Sequence, residues 1–106
     1  MLLGVPVIAT DWSGNADFMD AGCAAMVPAR LIPADDPRGV FMAPGAVWAD
    51  PDITIAAAHL ARLADDPAAR QALGQAGQAA ARARLGLEPL AAAVQALGLP
   101  VACSSL

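Results

Sequence analysis

Two spacings of apolar residues divide the chain near residue 51. Before it, apolar residues come in short unbroken runs separated by turn-forming residues; after it, they recur every three or four positions. The first run, Val5 to Ala9, has the uninterrupted apolar character of a strand buried inside a parallel sheet. A turn cluster follows, Thr10 to Asn15, and then one short helical turn over Ala16 to Asp20. Ala24 to Pro28 predicts a second, shorter strand. Leu31 to Gly45 holds Pro33, Pro37, Gly39, Pro44 and Gly45 and predicts mostly loop, with a brief strand over Gly39 to Met42.

The second half predicts three helices. Asp52 or Thr54 caps the first, whose apolar stripe is Ile53, Ala56, Ala57, Leu60 and Ala64. Asp66-Pro67 pairs an N-cap with a proline at the first helical position, and Leu73, Ala76, Ala80 and Ala83 carry this helix to Gly86. Glu88-Pro89 opens the third, with Leu90, Val94 and Leu97 inward and Gly98 as its stop. Residues 99–106 are expected to fray. The fold class is therefore α/β: a few parallel strands over 1–51, then about three α-helices over 52–98. One good strand and one or two poor ones leave exposed sheet edges, so the expectation is a partial fold with weakly cooperative melting.

Composition sharpens this picture. Apolar residues make up 58% of the 106, but 28 are alanine, which favours helix and buries little area. Ten acidic residues face six arginines and no lysine, for a net charge of −4. That balance excludes nucleic acid as a partner, since no basic patch exists to neutralise phosphates. Cys23 and Cys103 fit no metal-ligand or redox spacing, and no run of about 20 uncharged apolar residues predicts a transmembrane span. The first apolar stretch has no basic residue before it and is broken by Pro6 and Asp11, unlike a signal peptide. The expected compartment is cytoplasmic.

"LGVPVIATDWSGNADFM" resembles the final third of the second Rossmann-like domain in retaining family 4 glycosyltransferases of the GT-B fold. In that family a helix containing Glu-Ala-Met-Ala-Leu-Gly runs into a strand of the Pro-Val-Ile-Ala-Thr type and then a Gly-rich loop. Met1 to Gly4 matches the end of that helix, placing Met1 on an internal methionine of the family. "GAVWADPDITIAAAHLARLADDP" is similar to a later stretch, where a Trp-Ala-x-Pro-Asp turn leads into an alanine-rich helix and then one like "DPAARQALGQAGQAAARARL". The resemblance runs from Met1 to about Leu97. It implies a partial Rossmann-like domain whose parent enzyme transfers a glycosyl group from a nucleotide-sugar donor to an acceptor with retention. It also implies that the acceptor domain, the basic diphosphate ligands and the paired glutamates lie upstream. The isolated chain is then inactive and docks to that missing N-terminal portion.

Retaining transfer needs cations or helix N-termini on the leaving diphosphate. Arg62, Arg70, Arg82 and Arg84 lie on predicted helices and read as solvated faces. Arg30 and Arg38 flank the Pro-rich loop, either solvated or touching a partner domain. Thr10, Asp11, Ser13, Gly14 and Asn15 follow the C-terminal end of a strand, where open α/β sheets place ligands. They are the candidate substrate-binding residues; the alternative is that they only build the turn. Gly14 is expected to permit a close approach or an unusual backbone, and Ser13 and Asn15 to offer polar groups to a cleft. Trp12 and Trp48 anchor loops, or Trp12 faces a sugar ring. Asp11 and Asp17 read as turn and capping residues rather than a catalytic pair, and Asp35-Asp36 and Asp65-Asp66 as turn and cap pairs. His59 reads as structural or exposed. No catalytic residue, metal or cofactor is assigned. Two rivals stay open: a non-catalytic remnant or interaction module docking on another chain, and some other doubly wound nucleotide-binding protein.

Overall fold

A computed structural model describes residues 1–40 and 43–98. It is a mixed α/β arrangement of two separate two-stranded sheets and three helices. Strand β1 (Ile8–Thr10) pairs in parallel with β2 (Ala25–Val27), placing Ile8 opposite Ala25 and Thr10 opposite Val27. β3 (Ala29–Pro33) and β4 (Val47–Pro51) form an antiparallel hairpin, and α1 (Ile53–Asp65), α2 (Pro67–Leu85) and α3 (Leu87–Ala96) follow among the described residues.

β1 begins three residues later than its apolar run and is half-buried rather than buried. The reasons are local. Met1 to Gly4 closes a turn through the Gly4 N–H to the Met1 carbonyl at 2.8 Å, and Pro6 has no N–H to give a ladder. The hairpin departs furthest from expectation. Residues 31–33, expected as loop, and the Trp48–Pro51 stretch, expected as a turn, pair with each other instead. Proline hides the strands from a sequence reading, yet Pro33 and Pro51 end them, where a missing donor costs least. Arg30 and Asp50 sit directly opposite and join through Nη2 to Oδ2 at 2.8 Å. Of the brief strand expected over Gly39 to Met42, Gly39 and Val40 are not in a strand, and Phe41 and Met42 lie outside the described residues. So do the 99–106 tail and Cys103.

α1 and α2 start as expected, and α3 begins at Leu87, just before the expected Glu88-Pro89 opening. Asp52 caps α1, accepting from the Ile55 N–H at 3.0 Å, and Asp66 caps α2, accepting from the Ala69 N–H at 2.9 Å. Gly98 ends α3 in the left-handed region at φ +72°. Their faces differ. On α1 the half-buried positions are Ile55, Ala56, His59 and Leu63, while Ile53 is 71% exposed and Leu60 63%. His59 turns inward because its Nε2 meets the Met26 carbonyl at 3.1 Å, which offsets the cost of burying a polar ring. On α2 the buried line is Gly74, Gly77 and Ala81, with Ala83 exposed. On α3, Leu90 and Leu97 are exposed and Val94 is half-buried.

α2 therefore packs through backbone. A Cβ on Gly74 would run into the Gly4 carbonyl oxygen, and one on Gly77 would sit 3.0 Å from the Cys23 carbonyl oxygen. The Gln78 amide adds a bond to the Leu2 carbonyl at 2.8 Å. The core lies beneath this crossing and around β2. Its buried apolar residues are Cys23, Ala24, Val27, Ala34 and Ala81, and among the described residues no large side chain is completely buried.

Candidate functional site

The Thr10–Asn15 loop leaves the C-terminal end of β1 and turns through a single 3-10 turn over Ser13–Asn15. The parallel ladder continues to its start, where the Asp11 N–H donates to the Val27 carbonyl at 2.8 Å. Asn15 closes it, its Nδ2 donating to the Thr10 carbonyl at 2.6 Å. The Trp12 N–H shares that acceptor at 2.8 Å. Asn15 is thus a structural tie, its amide nitrogen turned to the loop's own backbone. Thr10 and Asn15 are half-buried, whereas Asp11, Trp12, Ser13 and Gly14 are exposed.

The unusual backbone is at Ser13, not Gly14. Ser13 has φ 67°, the left-handed region that non-glycine residues seldom occupy. Gly14 lies outside that region, and a Cβ there would meet nothing within 4 Å. Neither an unusual backbone nor a close approach within this chain therefore calls for glycine at 14. Trp12 is 43% exposed, so it covers the core only in part.

Next to this loop in sequence is a cluster that periodicity placed on a solvated helix face. Arg84, near the end of α2, reaches back to the 18–23 segment. Its Nη2 donates to Asp20 Oδ2 at 2.7 Å and its Nη1 to the Phe18 carbonyl at 3.0 Å and Cys23 Sγ at 3.8 Å. Asp20 also accepts from the Gly22 N–H at 2.8 Å. The Arg84 guanidinium holds the Asp20 carboxyl below the usual carboxylate range, with the Gly22 N–H assisting, and Asp20 in turn raises Arg84. The nearest sequence signal was the Asp20-x-Gly22 turn, which needs a carboxylate for its N–H but does not say which arginine answers it. Arg70 is committed too, its Nη1 donating to the Leu63 and Ala64 carbonyls at 2.6 and 3.2 Å, where it caps α1. Asp36 accepts from the Arg38 and Val40 N–H groups at 3.0 and 2.9 Å, the turn role expected of it.

Three concavities border other residues. One of about 430 Å³ is lined by the Arg30–Asp50 pair, Pro28 and Asp52. One of about 500 Å³ lies between α1, α2 and the Ala21–Met26 segment. The third, about 560 Å³, is an apolar groove of Met1, Leu3, Val5, Phe18, Met19 and Leu85 among others. Among the described residues no three of His, Cys, Asp and Glu gather as a metal site, and no helix is long and apolar enough to cross a membrane.

Fold and loop together define a mixed α/β chain with an exposed polar loop at the end of a parallel strand. No family model, no curated protein and no solved structure matches it.

Proposed function

We propose that this chain is the C-terminal, donor-side portion of a retaining nucleotide-sugar glycosyltransferase with a Rossmann-like domain. Its Thr10–Asn15 loop contributes to the donor site, and the chain alone transfers no sugar. The observation that carries the reading is the loop's position. It follows the C-terminal end of a strand in parallel pairing, where open α/β sheets hold ligands, and it exposes Asp11, Ser13 and Gly14. The arginines support the inactivity of the chain by itself. Four of the six arginines, Arg30, Arg38, Arg70 and Arg84, are already engaged by Asp50, Asp36, the α1 carbonyls and Asp20, and of the other two Arg62 lines a different cleft, so few cations remain here for a leaving diphosphate. In this reading the chain is cytoplasmic and docks to an N-terminal portion of the enzyme.

The test is an amide NMR titration of the chain with nucleotide sugars carrying uridine, guanosine or adenosine diphosphate, alongside an assay for released nucleoside diphosphate. Shifts centred on Asp11 to Asn15 without turnover are expected. Unmoved loop amides at millimolar donor would remove the donor-site assignment, and turnover abolished by Asp11→Ala would overturn the inactivity. A second reading, a non-catalytic module docking on another chain, rests on the apolar groove, where Leu3 is 90% exposed. Unmoved loop amides favour it.

A further inference from the structure

We propose that the cleft between α1, α2 and the Ala21–Met26 segment binds a small aliphatic carboxylate through Arg62. The cleft encloses about 500 Å³, inside the range of about 300–1,000 Å³ typical of small-molecule sites. Its walls are mostly aliphatic, with Leu63 from α1 and Ala72, Leu73 and Ala76 from α2. No Phe or Trp lines it, only the small imidazole of His59, so it offers a nucleobase little stacking surface and an alkyl chain fits it better.

The cation is what makes it a site. Of the six arginines, Arg30, Arg38, Arg70 and Arg84 have partners of their own. The side chain of Arg62 has no hydrogen bond or ion pair among the described residues, and it is the arginine that lines this cleft. A basic residue in the last turn of a helix ordinarily serves the terminal carbonyls. Here that role is filled. Arg70 takes the Leu63 and Ala64 carbonyls, and the Asp66 N–H takes the Arg62 carbonyl at 2.9 Å. His59, one turn before Arg62, also lines the cleft, but its Nε2 faces the Met26 carbonyl. A carbonyl only accepts, so Nε2 carries the proton and the ring is a fixed wall. One guanidinium over an aliphatic pocket matches a single carboxylate, in the two-pronged geometry these groups favour. A diphosphate would need more positive charge than the cleft supplies.

The inference is independent of the glycosyltransferase reading, and its test reads different residues. The whole chain is titrated with sodium octanoate and, separately, with 1-octanol, following backbone amides by NMR. Saturable octanoate shifts at His59, Arg62, Leu73 and Ala76 are expected. The Kd should be low millimolar, as ordinary ligand efficiency gives for about ten heavy atoms. Octanol, and the Arg62→Gln variant with octanoate, should each bind about tenfold more weakly or worse, the loss of a charge-assisted contact. Ala76→Leu, which fills the cleft, should abolish binding with Arg62 in place; far-UV circular dichroism checks that both variants fold. Equal binding of octanol, an unaffected Arg62→Gln, absent saturation, or shifts confined to Leu3, Val5 and Leu85 would each overturn the proposal.

Discussion

Gly74→Ala probes the contact that holds α2 to the start of the chain. At a free helix position this change stabilises by about 1 kcal/mol, since alanine is the better helix former. Here the added Cβ meets the Gly4 carbonyl group, whose carbon would lie 3.0 Å away, and then Pro6 Cδ at 3.6 Å. The obstacle is backbone. Gly4 is fixed at φ +72° and its N–H is bonded to Met1, so it has little freedom to yield. The remaining relief is for α2 to back away from the Met1–Gly4 turn, which stretches the Gln78 bond to the Leu2 carbonyl. Overpacking of this kind costs about 1–3 kcal/mol, and an impaired hydrogen bond adds about 0.5–1.5 kcal/mol. Set against the propensity gain, the net is a destabilisation of about 0.5–3.5 kcal/mol. With a urea slope of about 1 kcal/mol per molar, typical of the smallest domains, the unfolding midpoint falls by about 0.5 M or more. Gly14→Ala is the control: its Cβ meets nothing within 4 Å and its φ is not positive, so the midpoint should hold or rise slightly. Urea unfolding followed at 222 nm decides. If Gly74→Ala raises the midpoint as Gly14→Ala does, α2 does not pack on Gly4.

Asp66→Ala removes the side-chain acceptor of the Ala69 N–H and should cost about 1 kcal/mol, with faster amide exchange in the first turn of α2. An unchanged exchange rate would show that the cap contributes nothing. Asp20 should titrate below its ordinary value of 3.8 because Arg84 stabilises the carboxylate. A depressed value means that the stability from this pair is present above 3.8 and is lost as pH falls through the folded value; Arg84→Gln should return the carboxyl carbon midpoint towards 3.8 in an NMR titration. A midpoint indifferent to that variant would show that the clasp is open in solution. Thermal melting by far- and near-UV circular dichroism should be broad, because no large side chain among the described residues is fully buried. A sharp coincident transition above about 60 °C, hotter than most mesophilic domains, would contradict this.

What the sequence made legible was whatever a single residue specifies locally. Asp52 and Asp66 announce helix starts because a carboxylate before a helix has one obvious use, and Gly98 announces a stop. The parallel β1–β2 pair was legible because its apolar runs have no competing explanation. The helix faces were legible only in part: Ala56, Leu73, Ala76 and Ala80 are half-buried as expected, but other positions were missed, for opposite reasons on two helices. Periodicity counts side chains, so the Gly74–Gly77–Ala81 line, which packs because it lacks them, reads as blank. His59 reads as polar until its Met26 partner is known. The β3–β4 hairpin was hidden because proline content argued for loop, and only the pairing of Arg30 with Asp50 shows that its prolines stand at strand ends. At the candidate loop, the exposure of Ser13 and Gly14 after the end of β1 was legible, whereas Asn15, also expected to face a cleft, is half-buried. The tie made by Asn15 and the left-handed Ser13 were not legible, since neither residue type requires its role.

These failures share one physical origin, and it bears on function. Glycine and alanine let α2 approach the Met1–Gly4 turn and the Cys23 carbonyl closely, but such contacts remove little apolar area from water. The large apolar side chains meanwhile point elsewhere. Leu2, Leu3, Val5 and Leu85 surround the groove, and Leu87, Leu90 and Leu97 stand out on α3. A chain that seats its helices through small residues while leaving its leucines in solvent has its strongest hydrophobic driving force unspent. Val7, the residue that leads into β1 and so towards the Thr10–Asn15 loop, also lines that groove. Covering the groove with a partner surface would stiffen the residues that lead into β1. Under the proposed function, adding the N-terminal portion should therefore lower the donor Kd read from the loop amides, and an unchanged Kd would show that the groove and the loop are not coupled.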